Sequence, residues 1–334
     1  MRTKSGSILF ISLWTVCLLT VFSVALGYQV RQKLTLAQRL DEKSKLHFIA
    51  QSAIIKTIFN LKKLEQKPYD LLSDPWGGDP AAFNEMDIGE GKVNISYNYS
   101  DEKSQAVQIR YGLLDEERKI NINKVGMPVL ERLFRIVAGL DETSAQELAA
   151  SIIDWRDADS LLSIPLGSAE DIDYRNLQQP YEAKDQDFEV LDELLLVYGM
   201  NEDIFEKIKD YVTIYGSGKV NINTASRPVL LALGLDEAIV DSISSFRAGA
   251  DGVSATLDDN FFDMPANIIP KFSQFSHLGD SELTNLSAVV EQYLITSSKN
   301  FMIKAVARLN NKKDTVELIC VVNRTGEILY WRES

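Results

Sequence analysis

An uncharged, apolar run near the amino terminus constrains this chain more than any other feature. No residue from Ser5 to Val30 is charged, and the run contains ILFISLWTVCLLTVFSVALGY. A helix that crosses a bilayer needs about 20 apolar residues. We therefore predict a membrane helix over residues 7–30. A cleaved secretory signal remains an alternative, because the small residues of SVALG (23–27) could form its cleavage site.

The charge of the chain bears on its partners. The 334 residues carry a formal net charge of −13, whereas proteins that bind nucleic acid concentrate Lys and Arg against the phosphates. We therefore expect no nucleic-acid partner. Cys17 and Cys320 lie far apart in sequence, so no internal disulfide is expected.

Residues 31–67 continue the apolar run as an amphipathic helix. Apolar residues recur there every three or four positions, with lysines between them, and Pro68 is expected to stop the helix near Lys67. The recurring residues are Leu46, Ala50, Ala53, Ile54, Ile58, Leu61 and Leu64.

Strand patterns stand at both ends of the remaining chain. Alternating residues at 93–99 and 107–111 predict an antiparallel hairpin within a region 68–112, and three more strands are predicted within 300–334. Residues 113–299 between them read as helices. The sequence thus predicts an α+β fold, in which a long N-terminal helix packs on a small antiparallel sheet and carries a large inserted helical domain.

The inserted domain contains a repeated unit. The segment GKVNINTASRPVLLALGLDE (Gly218–Glu237) has a degraded partner one hundred positions earlier, so that repeats are predicted at 119–160 and 219–250. Each copy has an extended ININ-type segment, an early-helix proline, a helix-closing glycine and an acidic second helix start. The second copy resembles the INxNTA helix-hairpin-helix form of some DNA-uptake proteins, a SAM-like arrangement. The candidate interaction residues are Asn121, Asn123, Pro128, Gly139, Asn221, Asn223, Pro228, Gly234 and Asp236.

The turns of these hairpins are acidic. They read GLDETS (139–144) and GLDEAI (234–239), so carboxylates stand where a DNA-binding hairpin places phosphate oxygens at a helix N-terminus. We therefore predict hairpins that pack against protein. A membrane-anchored helix-hairpin-helix protein that binds DNA for uptake is the alternative function.

A second acidic segment, residues 154–174, is a candidate cation site. It holds six carboxylates against Arg156 alone, and a hard cation such as Ca²⁺ takes six to eight oxygen ligands. Only two histidines occur in the chain, which excludes a histidine-rich metal site. A solvated acidic loop is the other interpretation. No Ser/His/Asp set, P-loop or GxGxxG supports an enzyme, although an anchored hydrolase that uses these acids is a third class.

The first seven residues of the chain follow a distinctive order of residue types. A short basic leader, residues 1–4, precedes Ser5 and Gly6, and the apolar run begins at Ser7. This order resembles the type IV prepilin signal, in which a dedicated peptidase cuts after a glycine. The resemblance implies a leader of residues 1–6 and cleavage by prepilin peptidase between Gly6 and Ser7. That family normally has glutamate at the fifth mature position, where this chain has Ile11.

Taken in order, these motifs resemble the minor pseudopilin K family of type II secretion, the GspK family, over nearly the full chain. The motifs are the glycine-ended leader, IIDWRDAD with GSAEDIDY, VLDELLLVYGM and VNINTASRPVL. A related type IV pilus assembly is the alternative within this resemblance.

The resemblance implies a non-enzymatic subunit at the tip of a periplasmic pseudopilus. It implies a single-pass anchor in the bacterial inner membrane, with minor pseudopilins I and J, other secretion components and secreted substrates as partners. It also implies Ca²⁺, for which the matching residues are Asp157, Asp159, Glu170 and Asp171.

Ile11 agrees with a place at the tip. In a helical pilus the glutamate at this position neutralises the amino terminus of the subunit ahead, within an apolar core where an unpaired charge is costly. A subunit with nothing ahead of it has no such amine to meet. Isoleucine then avoids burying an unpaired carboxylate.

Overall fold

The computed structural model describes residues 5–100, 107–310 and 312–333. Helix α1 runs without a break from Ser5 to Lys63 and has two basic residues in its last turn. It ends four residues before the position predicted from Pro68, at a turn in which the amide of Leu64 donates to the carbonyl of Leu61. Lysines at a helix C-terminus interact favourably with the helix dipole and so stabilise this last turn. Residues 1–4 of the predicted leader lie outside the described residues.

The second half of α1 packs on the sheet. The predicted apolar face is confirmed, because Leu46, Ala50, Ala53, Ile54 and Leu61 are all buried in one core with the inward-facing residues of the strands. At about 25 cal/mol per Å² of buried apolar surface, such a face supplies the main attraction between the helix and the sheet.

The sheet has seven antiparallel strands among the described residues, in the order β1-β2-β9-β10-β11, with β3 paired to β2 and β4 to β9. The predicted hairpin and the three C-terminal strands are confirmed; the hairpin tip, residues 101–106, lies outside the described residues. The strands are β1 Met86–Ile88, β2 Gly91–Ser100, β3 Val107–Tyr111, β4 Leu114–Asp115, β9 Asn300–Leu309, β10 Thr315–Asn323 and β11 Ile328–Glu333.

The inserted domain leaves this sheet after β4 and returns at β9. Helix α2, Pro80–Phe83, lies in the sheet region before the domain. The helices of the domain are α3 Met127–Leu133, α4 Glu142–Arg156, α5 Asp171–Arg175, α6 Glu202–Ile208, α7 Arg227–Ala232, α8 Glu237–Arg247, α9 Ile268–Phe275 and α10 Asp280–Tyr293. A π-helical turn, Phe134–Ala138, extends α3, and 3-10 turns occur at Leu191–Leu196 and Pro265–Asn267.

Four short strands organise the domain into two halves. They are β5 Ile120–Asn121, β6 Val212–Thr213, β7 Val220–Asn221 and β8 Leu294–Ile295. In each half the first strand pairs in parallel with the last, β5 with β6 and β7 with β8. Between them lie two helices joined by a glycine turn, an acidic loop and two more helices. The two ININ-type segments that the sequence predicts as extended contain β5 and β7, but β6 and β8 are not predicted, because two-residue strands leave no periodicity to detect.

The two halves share one hydrophobic core. Helix α3 packs against α7, and the side chain of Arg132 on α3 donates from its Nε to the carbonyl of Ala232 on α7 at 2.8 Å. The predicted repeats therefore face each other inside one domain.

Candidate functional sites

Asn123 and Asn223 make equivalent hydrogen bonds in the two halves of the domain. The Nδ2 of Asn123 donates to the carbonyl of Phe188 at 2.9 Å, and its Oδ1 accepts from the Phe188 amide at 2.8 Å. Asn223 makes the same pair of bonds with Phe262, both at 2.9 Å. Each asparagine thus pins the chain where it returns from an acidic loop.

Asn121 and Asn221 close the segment that begins each half. The Oδ1 of each accepts from the amide two residues ahead, at 2.9 Å and 3.0 Å. The Nδ2 of Asn121 donates to the carbonyls of Tyr215 and Gly216, whereas that of Asn221 donates to Ser298. The amides of all four predicted asparagines are therefore engaged within the protein.

The predicted helix turns have the expected conformations. Pro128 and Pro228 each occupy an early position of a helix, α3 and α7. Gly139 and Gly234 both have positive φ angles, +73° and +99°, a region that glycine adopts without strain. Asp236 stands at the N-cap position of α8, without a side-chain capping bond. The structure thus has two helix–turn–helix units; their helix-hairpin-helix character stays a prediction.

The turns present negative charge. In the first unit Asp141 caps α4 by accepting from the amide and hydroxyl of Ser144, and these hydrogen bonds lower the pKa of its carboxyl. In the second, Asp236 and Glu237 are exposed. Residues 113–299 hold 33 Asp and Glu against 15 Lys and Arg, a formal charge of −18. A surface of this sign repels a phosphate backbone.

The acidic segment that begins in the last turn of α4 places its carboxylates unequally. Asp154 is fully buried and accepts from the amide of Ser163 with both oxygens, at 3.0 and 3.1 Å. Asp157 and Glu170 each have one buried oxygen without a hydrogen-bond partner among the described residues. Burial, with the negative charge of Asp154, raises the pKa of Glu170 to about 7.

The other two predicted ligands are already engaged. Asp159 is exposed and accepts from the amide of Leu161 at 2.8 Å. Asp171 accepts from the amide of Ala183 at 3.0 Å and pairs with Arg175 at 3.1 Å. Among the described residues, no group of three or more His, Cys, Asp or Glu side chains is arranged to hold a metal ion. The structure therefore does not gather the four predicted ligands: the charge of Asp154 acts on Asp157 and Glu170, whereas Asp171 pairs with Arg175.

The corresponding loop of the second half is closed by its own backbone. Asp258 accepts from the amides of Ala250 and Asp251, and Asp259 accepts from those of Ala255 and Thr256. The same loop rests on the sheet, where Arg110 of β3 donates to the carbonyl of Ala255 at 3.5 Å.

The N-terminal half of α1 is apolar and exposed. An 18-residue window within it has a mean hydropathy of 2.4 and buries none of its residues in the protein. Gly6 and Ser7 are helical, and the Ile11 side chain is 59% exposed. This helix is long and apolar enough to cross a membrane.

Sequence reasoning missed a second apolar face on α1. Phe48, Ile55 and Phe59 are 64%, 57% and 57% exposed and lie on the side of the helix away from the sheet. Their spacing of seven and four residues is a helical-face pattern that could have been found in the sequence. We call these three residues the outer stripe.

Comparisons with known proteins agree with this architecture. The family model described as type II secretion system (T2SS), protein K, matches residues 98–217, which include the first half of the inserted domain. The chain also resembles a chain in the crystal structure of the GspK-GspI-GspJ complex from the enterotoxigenic Escherichia coli type 2 secretion system. That match has a TM-score of 0.61 at 17% identity and covers 92% of this chain and 99% of the other.

Relatives from three bacteria carry one name. The type II secretion system protein K of Pseudomonas aeruginosa is 27% identical over 256 residues, which cover 72% of this chain and 73% of the relative. The protein of the same name from Pectobacterium carotovorum subsp. carotovorum is 31% identical over 121 residues, 34% of this chain and 36% of the relative. That from Aeromonas hydrophila is 29% identical over 180 residues, covering 51% and 52%. The family model and the three relatives all carry the name type II secretion system protein K; the chain is similar to them in sequence and to a chain of the GspK-GspI-GspJ crystal structure in fold.

Proposed function

We propose that this chain caps the tip of a periplasmic pseudopilus, assembles there with the minor pseudopilins I and J, and supports the export of folded proteins. Prepilin peptidase cuts it between Gly6 and Ser7, and residues 7–30 hold it in the inner membrane with the bulk of the chain in the periplasm. The role is that of a structural subunit, without catalysis. Other secretion components and the secreted proteins are its further partners.

The outer stripe carries the proposal for partners. One face of α1 is covered by the sheet of the same chain, and the opposite face presents Phe48, Ile55 and Phe59 to solvent. Exposed apolar side chains that line up on one helix face favour a partner helix, because packing them removes apolar surface from water. The relative of known structure was crystallised in a complex of three pseudopilins, GspK-GspI-GspJ. A helix of subunit I or J is the partner that we assign to the stripe.

The tip position rests on two features. Ile11 leaves no carboxylate to neutralise the amino terminus of a subunit ahead. The inserted domain adds eight of the ten helices in the described residues, a bulk that is hard to place between stacked subunits. Both features fit a subunit above which nothing else is added.

A charge placed on the outer stripe tests the proposal. Ile55→Glu should lower co-purification of subunits I and J with this chain by at least tenfold and reduce secretion. Asn60→Glu is the matched control, since it adds the same carboxylate at an exposed position elsewhere on the helix. Normal complex formation by Ile55→Glu, in a protein of unchanged stability, would contradict the assignment.

Calcium binding by the first acidic loop is the second part of the proposal. Asp157 and Glu170 have unpartnered buried oxygens, and the fully buried Asp154 lies near enough to influence the pKa of both. The charge of Arg156 acts on Asp157, but no ion pair among the described residues joins any of the three carboxylates to a cation, and Ca²⁺ would supply positive charge there. Asp159 and Asp171, which the family resemblance implies, would have to leave the amide and Arg175 contacts that they now make.

Calcium titration distinguishes this site from a solvated loop. Millimolar Ca²⁺ should raise the melting temperature of the wild-type chain, and Asp157→Asn or Glu170→Gln should abolish that rise. Asp236→Asn, at an exposed acid of the second half, should keep it. An equal rise in all four proteins would mean that the ion acts only through general screening.

A further inference from the structure

A basic segment of α1 separates the apolar run from the part of the helix that packs on the sheet. Residues 31–40 are all exposed, and the buried face of the helix begins only at Leu46. The segment holds Arg31, Lys33 and Arg39 and no acidic residue. It is therefore positively charged in a chain whose formal net charge is −13.

The three cations of this segment have no ion-pair partner in the part of the chain that the structure describes. The first acids that follow along the helix are Asp41 and Glu42, and both are engaged elsewhere. Asp41 pairs with Lys45 at 3.1 Å, and Glu42 pairs with Lys312 of the β9–β10 turn. The positive charge of the segment is thus available to an anion from outside the chain.

A shallow groove runs along one face of the segment. It is lined by Tyr28, Arg31, Gln32, Thr35, Leu36 and Arg39. Tyr28, Arg31, Thr35 and Arg39 follow one another at spacings of three or four residues, which places their side chains on one helix face. At a rise of 1.5 Å per residue, Arg39 lies about 12 Å along the axis from Arg31. The groove therefore presents two guanidinium groups above a phenol.

The groove lies where the helix leaves the apolar run. Tyr28 belongs to the end of that run, and Arg31 directly follows its last residue, Val30. Tyrosine is enriched at the level of the lipid headgroups. Helical side chains lean toward the N-terminus, which directs both arginines back toward the bilayer. Guanidinium groups bind phosphate oxygens through paired N–H donors, so the groove matches a phosphate at the membrane surface.

We propose that this groove binds the headgroup of an anionic phospholipid, with Arg31 and Arg39 on its negative charge and Tyr28 at the boundary between headgroup and acyl chain. The inference rests on the proposed place of residues 7–30 in the membrane. A lipid held here fixes the depth of the subunit in the bilayer, because movement along the membrane normal breaks these contacts. Departure from the membrane into a pseudopilus then requires that contacts with other subunits replace the lipid.

Spin-labelled lipids test the site in the full chain, reconstituted into phosphatidylcholine vesicles. Electron paramagnetic resonance measures how strongly the protein immobilises spin-labelled phosphatidylglycerol relative to spin-labelled phosphatidylcholine. A basic residue at an anionic lipid surface strengthens association about fivefold, so the wild type should prefer phosphatidylglycerol by about that factor or more. The double variant Arg31→Gln/Arg39→Gln should lose the preference. Both arginines are exposed, so the folded core should tolerate the change.

Lys33→Gln is the matched control. It removes the same charge at the same depth, but Lys33 is two residues from Arg31 and lies outside the groove. This variant should keep most of the preference, whereas Arg31→Gln alone should lose most of it. Equal losses in Lys33→Gln and Arg31→Gln would overturn the proposal, because they would show an effect of surface charge without a site.

Three other results would also contradict the lipid site, and they separate it from the proposed function. A wild-type chain that enters the vesicles but shows no preference would exclude the site and leave the membrane anchor standing. A chain that does not enter the vesicles would contradict the anchor as well. A double variant that keeps the preference and no longer binds subunits I and J would make this face a protein contact.

Discussion

The side chain of Asn223 is joined to the backbone of Phe262 by two hydrogen bonds of 2.9 Å, one donated and one accepted. This pair links the start of the second half of the domain to the chain that returns from its acidic loop. Phe262 in turn packs on Phe246 of α8, with ring centroids 4.8 Å apart. The duplicated asparagine is therefore a fixed point of the fold.

Asn223→Ala should destabilise the chain strongly. It leaves the amide and the carbonyl of the buried Phe262 without their partners, and each buried unsatisfied group costs about 1–3 kcal/mol. We expect the free energy of unfolding in urea to fall by about 2–4 kcal/mol. Asn123→Ala, at a half-buried position, should cost less. A surface change such as Asn60→Ala should stay within about 0.5 kcal/mol, and an equal loss in all three would contradict this account.

The two turn glycines should differ in their tolerance of alanine. Both have positive φ angles, which cost an alanine about 1–2 kcal/mol. A Cβ at Gly139 would meet no atom within 4 Å, whereas one at Gly234 would lie 3.2 Å from the Arg132 guanidinium. Gly234→Ala should therefore lower the free energy of unfolding more than Gly139→Ala. The reverse order would show that the halves do not pack as described.

Ile11→Glu tests the physical reading of the missing glutamate. If nothing lies ahead of this subunit, the new carboxylate has no amine to meet and is buried in apolar surroundings. We expect a several-fold loss of secretion in a strain that carries only this variant, with Ile11→Leu as the control that keeps the apolar volume. Improved assembly of Ile11→Glu along the pilus would place the chain below the tip.

Cys320 should resist alkylation in the native state. It is fully buried in the sheet core, and burial raises the pKa of its thiol to about 12. Because the thiolate is the reactive form, iodoacetamide at pH 8 should modify Cys320 only after unfolding in urea. Mass spectrometry of the labelled peptide gives the answer. Rapid labelling of the native chain would mean that β10 opens readily.

Much of the fold could be predicted from the sequence because the helix and strand patterns of apolar residues were long. The apolar face from Leu46 to Leu61 and the alternation along Val93–Tyr99 each repeat several times, so helix and sheet were predictable. The strands β6 and β8, with two residues each, have no period and were missed, whereas β5 and β7 lie in the ININ-type segments that were predicted as extended. The ININ repeat marked the duplication, but not that its asparagines act through Phe188 and Phe262, which lie 65 and 39 residues further on.

The candidate sites were predictable only in part for the same reason. A run of acids indicates oxygen ligands, but which carboxylates converge depends on how the loop folds. Asp171 turns to Arg175 and Ala183, whereas Asp154, fixed within α4, comes close to Glu170. The buried contacts of Asp115 and Glu117 were also out of reach, since their partners Ser298 and Asn300 each lie 183 positions away in sequence.

The amino-terminal sequence of the chain recovered from membranes tests the central claim most directly. Cells with and without prepilin peptidase should be compared. The account predicts a mature chain that starts at Ser7 when the peptidase is present and at Met1 when it is absent. A chain that starts at Met1 in both, or one that is cut after Ala25 or Gly27, would contradict it.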